Sequence, residues 1–411
     1  MDQRKRWRFA SLDLGRALAC LLVVVYHAGG TASLPKYFGE HSLSGWAAIG
    51  YVRMPFFFAM SGFLLSWLYL QRAPAQGAAA PVAFLARRAA HLYPLYWVAL
   101  CSVAAVQIFV LRQPVPTGWD WVQTVLLLPQ SPAEAGGTGA PVLYPAWVLQ
   151  YEIVGYLFVA LALWRPVLRR AYLLAFPALY VLLSDADAFV PSFLGSKWLL
   201  IFWMGAAAAW TARHANGRHR AIALALSLLW LSGAGTTQYF ADPVAQGLTD
   251  LDVHYGLGFA LSVIFLAGIR RGVAMSQPRR PLHRAVETLA RWSYAIFLCH
   301  APVISMVCKM ALGAGLHGDA GWEIAVLGCI AVSIGLGGLL HQWVERPLDR
   351  CIARSFETVR QSWRQARQRV RAAARSRHSR ARRPVARVVA PVRSAFRAPA
   401  VRHRGASKSA R

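Results

Sequence analysis

The sequence is dominated by long apolar stretches, and these limit the folds that the chain can adopt. A membrane-spanning helix needs about 20 mostly apolar residues to cross the hydrocarbon core of a bilayer. Ten stretches bounded by charged residues, Pro or Gly approach this length. They lie at about 11–29, 46–70, 89–111, 145–164, 168–184, 197–212, 221–240, 254–269, 292–312 and 322–344. The pattern predicts an all-α fold, a polytopic integral membrane bundle of about ten transmembrane helices.

The composition agrees with this prediction. Hydrophobic residues make up 56% of the 411-residue chain and charged residues only 15%, whereas about a quarter of a typical soluble domain is charged. The first stretch follows a basic segment, as a signal peptide would. Because Asp13 and Arg16 interrupt its apolar core and it has no clear cleavage site, we predict a retained first span.

The positive charge is concentrated at the C-terminal end. Of the net +28, residues 346–411 contribute 20 basic and 2 acidic residues. We therefore predict two parts, a membrane domain at 1–348 and a basic, disordered cytoplasmic tail at 349–411. The tail is expected to bind anionic lipids of the inner leaflet. Nucleic acid is the alternative partner, but aromatic residues are nearly absent between the basic ones, which argues against it.

The distribution of Lys and Arg between loops predicts the orientation. With a cytoplasmic N-terminus, 39 basic residues fall on the inside and 3 on the outside. This bias, together with an even number of spans, places both termini in the cytoplasm. The longest outside segment, 112–144, is rich in Pro and Gly and is expected to be re-entrant or interfacial.

Ionisable residues inside membrane spans mark candidate functional sites, because they are costly to bury. Arg16 and His27 are 11 residues apart, which places them on one face of the first helix, about 16 Å apart along its axis. Glu152 lies near the outer end of the fourth stretch. A His and a Glu that meet in an apolar cavity can form a general base and its orienting carboxylate. The six Cys form no ligand cluster, so we predict no metal site.

Six motifs, in a constant order, resemble the acyltransferase 3 family of bacterial multispan membrane acyltransferases. They are Leu12–Arg16 with Tyr26-His27, Phe56–Phe63, Arg87–Pro94, Trp147–Tyr156 with Glu152, Ser293–Pro302, and Glu345-Arg346-Pro347. Each motif alone is weak. Together they span residues 12–347, and the chain is identified as a member of the family.

The resemblance implies an O-acyltransferase of the bacterial inner membrane, with acyl-CoA, most simply acetyl-CoA, as donor. It implies a hydroxyl of a polysaccharide, lipopolysaccharide or lipid-linked glycan as acceptor, with no permanently bound cofactor. We expect His27 and Glu152 to be catalytic. The donor is expected to bind Arg16, Arg87 and Arg88. Ser61, Tyr294 and His300 are the expected substrate-binding residues.

The chain departs from the family pattern at three positions. His91 replaces an Arg of the third-span motif, Pro55 replaces a frequent acid, and Gln150 replaces a frequent Ser two residues before Glu152. The first change removes a permanent charge from the expected donor site. The last change puts a hydroxyl role near Glu152 in doubt.

Three alternatives remain at the level of sequence. His27 could itself carry the acyl group instead of acting as a base for direct transfer. A multispan transporter or flippase of a glycan or lipid-linked intermediate would also bury Arg, His and Glu, although it would more often show internal repeats. A purely structural anchor for the tail would not need buried charges on one face.

Overall fold

A computed structural model describes residues 10–39, 52–70, 79–135, 138–240, 251–268, 281–355, 361 and 368. Helices are the regular elements throughout these ranges. They are α1 Ala10–Ala32, α2 Arg53–Leu65, α3 Ala79–Ala105, α4 Gly118–Leu126, α5 Pro132–Ala135, α6 Trp147–Trp164, α7 Pro166–Leu183, α8 Phe189–Leu194, α9 Lys197–His214, α10 Gly217–Phe240, α11 Leu251–Leu266, α12 Pro281–Gly313 and α13 Gly318–Leu340. Short π-helical turns extend three of them, at Ser66–Leu70 after α2, Val106–Val110 after α3 and His341–Glu345 after α13.

The predicted all-α membrane class is confirmed. Each of the ten predicted stretches overlaps a helix of the described residues, and seven helical stretches in this part of the chain are long and apolar enough to cross a membrane. These are Asp13–Ala32, Arg53–Leu70, Ala80–Val110, Tyr144–Trp164, Phe189–His214, Arg284–Gly313 and Gly318–Ser355. Leu251–Leu266 is a shorter apolar helix, and α7 and α10 are helical without meeting the same criterion. The count of about ten spans stays a prediction.

Two helices begin well before the apolar stretches that predicted them. The third stretch was expected from about 89, but α3 starts at Ala79; the ninth was expected from about 292, but α12 starts at Pro281. Both extensions contain Arg, which a search for apolar residues excludes, and both begin with Ala or Pro, which suit a first helical turn. Arg87 and Arg88 therefore lie inside a helix and not in the loop before it.

The helices that carry the site are held by close backbone contacts. Helix α2 packs against α9, and a Cβ atom at Gly62 would lie 1.8 Å from the carbonyl oxygen of Phe202. A Cβ atom at Gly205 would lie equally close to the carbonyl oxygen of Ala59. Only glycine allows this approach, which is characteristic of membrane helix interfaces. A second group of helices, α1, α12 and α13, packs together.

A buried ion pair joins two helix starts. Lys197 Nζ, on α9, lies 2.6 Å from Asp252 Oδ2, on α11, and the Asp side chain is buried. Lys197 is one of the three basic residues that the charge distribution assigns to the outside, and Asp252 lies in a segment that it also assigns to the outside, so a contact between them is compatible with that prediction. The orientation of the whole bundle stays a prediction.

The predicted outside segment 112–144 contains the short helix α4, which is anchored to α3. Tyr96 donates a hydrogen bond to the carbonyl oxygen of Thr124, and Tyr93 donates one to that of Leu126. Gln150 Nε2 donates to the carbonyl oxygen of Gly139 at 2.9 Å. Gln150, one of the three departures from the family pattern, therefore fixes this segment to α6. Whether the segment is re-entrant or interfacial stays a prediction.

The chain divides into two compact units, Met1–Ile352 and Ala353–Arg411. The first contains the helical bundle. Of the second, only 353–355, 361 and 368 are described. The predicted disorder and lipid binding of the tail fall almost wholly outside the described residues and stay predictions.

Candidate active site

A cavity of about 220 Å³ lies between five helices of the bundle. Each helix contributes a polar side chain to its wall: Arg16 from α1, Ser61 from α2, Arg88 from α3, Glu152 from α6 and Tyr294 from α12. All five were predicted as site residues. His91, Tyr156 and Ser293 also line the cavity, and most of the remaining wall is apolar, which is typical of small-molecule sites.

Both carboxylate oxygens of Glu152 accept a hydrogen bond. Ser61 Oγ donates to Oε1 at 2.9 Å, and Tyr156 OH donates to Oε2 at 2.9 Å. Glu152 is 7% exposed, so a partner for each oxygen offsets the cost of its burial. Tyr156 is one helical turn after Glu152 and therefore lies on the same face of α6.

Arg88 is held by aromatic rings. Its Nη2 lies 3.4 Å from Tyr69 OH, and its guanidinium lies 5.3–5.9 Å from the ring centres of Tyr69, Phe84 and Tyr156. Cation–π contacts of this kind fix a guanidinium without neutralising it. Arg87, the preceding residue, is exposed and does not line the cavity, although its guanidinium also approaches Tyr69, at 6.0 Å.

A second polar group is formed by His27, Arg53 and His300. Arg53 Nη2 lies 3.3 Å from His27 Nε2, and the Arg53 guanidinium stacks on the Tyr26 ring at 3.7 Å. The imidazole of His300 lies 5.2 Å from that of His27, measured between ring centres. Arg53 is 8% exposed and His300 1% exposed. The group brings a guanidinium and two imidazoles together inside the bundle.

The hydrogen bonds of this group define which nitrogens can accept. A guanidinium only donates, so His27 Nε2 accepts the bond from Arg53 and carries a lone pair. The backbone carbonyl of Phe297 accepts from His300 Nδ1 at 2.8 Å, which leaves the lone pair of a neutral His300 on Nε2. That atom is buried and has no hydrogen-bond partner among the residues that the structure describes. This buried nitrogen beside His27 is therefore suited to accept a hydrogen bond from a bound molecule.

Each of these three residues is within four positions, along its own helix, of a residue that lines the cavity. Val23, Met54 and Phe297 line the cavity. His27 comes one turn after Val23, Arg53 directly precedes Met54, and His300 is three residues after Phe297. The cavity follows one face of α1 from Arg16 to Val23, and His27 lies one turn beyond Val23 without lining the cavity.

The structure groups most of the predicted site residues but separates the two catalytic candidates. Glu152 is bonded to Ser61 and Tyr156, while His27 is bonded to Arg53. Tyr294 lines the cavity and donates through its hydroxyl to the carbonyl oxygen of Leu92 at 2.7 Å. Glu152 is thus no direct hydrogen-bond partner of His27 in this structure.

Arg53 and Tyr156 belong to the site but are not among the residues predicted from the sequence. Arg53 lies inside the second apolar stretch, and the argument that selected Arg16, a costly charge within a span, applies to it equally. Tyr156 belongs to the fourth motif, and its spacing of four residues from Glu152 on a helix is the signal for a direct contact.

The comparison with known families decides the class of this site. The family model of the acyltransferase domain, acyltransferase 3, matches residues 9–341. The chain belongs to this family. The match covers every predicted site residue, and it confirms a membrane-embedded O-acyltransferase. No solved structure matches the chain.

Curated relatives agree with the family. Acyltransferase MdmB of Streptomyces mycarofaciens is 27% identical over 339 residues, which cover 74% of the chain and 82% of the relative. The exopolysaccharide production protein ExoZ of Rhizobium meliloti (strain 1021) is 27% identical over 318 residues, 74% of the chain and 90% of the relative. Protein 2 in the picA locus of Rhizobium radiobacter is 34% identical over 169 residues, 38% of the chain and 82% of the relative.

Proposed function

We propose that this acyltransferase moves an acyl group, most simply acetyl, from acyl-CoA to a hydroxyl of a polysaccharide or lipid-linked glycan in the bacterial inner membrane. The observation that carries the proposal is the cavity, which is lined by Arg16 and Arg88 and follows the face of α1 on which His27 lies one turn beyond Val23. The name of ExoZ, an exopolysaccharide production protein, supports a glycan acceptor. The bias of Lys and Arg supports a cytoplasmic entrance for the donor, with both termini on that side.

The part of the cavity wall that contains Arg16 and Arg88 is suited to bind the phosphate groups of the acyl donor. Arg16 and Arg88 line the cavity, and guanidinium groups bind phosphate oxygens strongly. Because the rings around Arg88 carry no formal charge, its positive charge remains available for an anion. The phosphate-bearing part of CoA is then held at the Arg side, and the thioester extends along the cavity wall toward His27. Arg87, which is exposed, serves at the entrance.

The chemical step is a direct transfer with His27 as general base. The acceptor hydroxyl enters between His27 Nε2 and Arg53 Nη2, whose present separation of 3.3 Å is long for a hydrogen bond. The hydroxyl proton passes to His27 Nε2 as the hydroxyl oxygen bonds to the thioester carbonyl carbon. The tetrahedral intermediate collapses, the C–S bond breaks, and the sulfur takes the proton from His27. The products are an ester and free CoA.

The remaining polar groups have distinct tasks in this step. Arg53 is positioned to stabilise the oxyanion, because a fixed cation beside the reacting carbonyl lowers the energy of the transition state. His300 Nε2 accepts a hydrogen bond from a second hydroxyl of the acceptor. Glu152, held by Ser61 and Tyr156, gives the middle of the cavity a fixed negative group that orients the substrate.

The proposal is tested with inverted membrane vesicles supplied with radiolabelled acetyl-CoA. Base-labile label on glycan is compared between wild type, His27→Ala and His214→Gln at matched membrane expression. His214 lies at the end of α9, where its Nδ1 contacts the carbonyl oxygen of Trp210. We expect label with wild type and His214→Gln, and its loss with His27→Ala.

Two results would overturn the proposal. Equal labelling by His27→Ala and wild type would remove His27 from the reaction. Movement of unmodified glycan across the membrane, without ester formation from acetyl-CoA or succinyl-CoA, would favour a transporter or flippase. A stable acyl adduct on His27 in the absence of acceptor would replace direct transfer by the acyl-enzyme route.

A further inference from the structure

A cluster of possible metal ligands lies where α3 meets the end of the last helix. The ligand atoms of His91, Glu345 and Asp349 all lie within 4.8 Å of one another. His91 also lines the cavity on the same side as Arg88. Although 258 residues separate His91 from Asp349 in the chain, their Nδ1 and Oδ1 atoms are 3.3 Å apart.

The charges around this cluster are unusual for so basic a chain. Arg346 and Arg350 flank the two carboxylates in sequence, yet in the described part of the chain the ion-pair partners of Glu345 and Asp349 are both His. Glu345 is buried, and the second carboxylate stands close to it. Two neighbouring carboxylates repel each other unless a positive group lies between them. A divalent cation bound between the two carboxylates would supply such a positive group.

We propose that His91, Glu345 and Asp349 bind a divalent transition-metal ion of the zinc type. One imidazole nitrogen and two carboxylate oxygens are a donor set that suits Zn²⁺. Bonds of about 2.0–2.2 Å in tetrahedral geometry place neighbouring donors about 3.3–3.5 Å apart. The observed 3.3 Å between His91 and Asp349 matches this spacing. Both side chains are nearly half exposed, at 48% and 45%, and can turn to bring the third ligand into range.

His341 contacts the buried ligand Glu345. Its Nδ1 lies 2.8 Å from Glu345 Oε2, so it orients the buried carboxylate. Outer partners of this kind fix the ligands of metal sites. With three protein ligands, the fourth position is open to water or to a bound molecule. The site joins α3 to the last helix, and its His91 also lines the cavity.

Because His91 replaces an Arg of the family motif, the substitution His91→Arg is a suitable variant for testing the metal site. His91→Arg restores the residue type of the family motif, and an Arg can pair with both carboxylates but cannot ligate a metal. Asp349→Asn keeps the shape of the side chain and weakens the donor. His214→Gln removes an imidazole elsewhere and serves as the control. The tail residues His378 and His403 are present in every variant, so they do not affect the comparison.

The experiment uses the full chain, purified in detergent without a polyhistidine tag, stripped with EDTA and dialysed against ZnCl₂. Bound zinc is measured by plasma mass spectrometry, and thermal unfolding is measured with and without ZnCl₂. We expect wild type and His214→Gln to bind one zinc per chain and to unfold at a higher temperature with zinc, because a ligand of the native state stabilises it. His91→Arg should lose both effects. Asp349→Asn should bind at least about tenfold more weakly.

Equal zinc content in wild type and His91→Arg, with both proteins monodisperse, would overturn the proposal. So would the absence of zinc from wild type, because the cluster would then be a network of ion pairs alone. If His91→Arg does not yield folded protein, Asp349→Asn decides: unchanged zinc affinity in that variant contradicts the site. These readouts do not depend on transferase activity, so they remain valid whatever the substrate is.

Discussion

Arg53 and His27, on neighbouring helices of the bundle, are joined through Nη2 and Nε2 at 3.3 Å. The contact gives the imidazole a defined tautomer, because the guanidinium can only donate. It also brings a permanent positive charge next to the proposed base. Tyr26, which precedes His27 in the chain, holds the guanidinium by stacking at 3.7 Å. Two adjacent residues of α1 therefore position a single Arg of α2.

Replacement of Arg53 should impair the chemical step more than donor binding. Arg53→Lys keeps the charge but loses the planar group that stacks on Tyr26, and Arg53→Gln loses both. If Arg53 stabilises the oxyanion, Arg53→Gln should lower kcat by about 10²–10³-fold, with little change in KM for acetyl-CoA. Steady-state transfer in vesicles measures both constants.

The control for this prediction is Arg213, at the end of α9 and exposed. Arg213→Gln should leave kcat unchanged. A rise in KM for acetyl-CoA with unchanged kcat in Arg53→Gln would assign Arg53 to donor binding instead.

Two neighbouring arginines of α3 offer a comparison of donor binding. Arg88 lines the cavity among aromatic rings, whereas Arg87 is exposed. Arg88→Gln should raise KM for acetyl-CoA by about 10- to 100-fold, since a hydrogen bond to a charged group contributes about 1.5–3 kcal/mol. Arg87→Gln should change it less than about fivefold, because exposed charge contacts are worth about 1 kcal/mol or less. Equal effects of the two substitutions would contradict a donor site inside this cavity.

The pair formed by Ser61 and Glu152 distinguishes two roles for the serine. In the structure Ser61 donates its hydrogen to the carboxylate at 2.9 Å. If Ser61 only orients the carboxylate, the Ser61→Ala variant should retain activity within about tenfold of wild type. The activity of Glu152→Gln should fall by about 10²-fold. Complete loss of transfer in Ser61→Ala, with folded protein, would indicate a nucleophilic serine. Tyr156→Phe should resemble Ser61→Ala, because it removes the other donor to the same carboxylate.

The sequence predicted the helical class and five of the side chains that line the cavity, for a physical reason. Membrane helices have a strong hydropathy signal, and an ionisable residue inside one stands out against it. The 3.6-residue period placed Arg16 and His27 on one face. In the structure Arg16 and Val23 line the cavity, with His27 one turn beyond Val23.

Hydropathy and helical periodicity do not predict which side chains of different helices contact each other. Ser61 and Glu152 are 91 residues apart, and Arg53 lies 26 residues from His27. Such contacts depend on how helices rotate and pack, and that is set by close approaches such as Gly62 against Phe202. Hydropathy also misplaced the starts of α3 and α12, because a helix continues as long as its residues favour helix, whatever their charge.

The close approach at Gly62 gives a prediction that links packing to the site. A Cβ atom there would meet the backbone carbonyl of Phe202 at 1.8 Å, and a backbone atom cannot rotate away as a side chain can. Gly62→Ala should therefore destabilise the protein by at least about 3 kcal/mol. It should also reduce activity, because separation of α2 from α9 moves Ser61 relative to Glu152. Gly335→Ala on α13, where a Cβ atom has open space, should be neutral or slightly stabilising. Thermal unfolding in detergent and vesicle transfer assays measure the two effects, and equal stability of both variants would contradict the backbone contact.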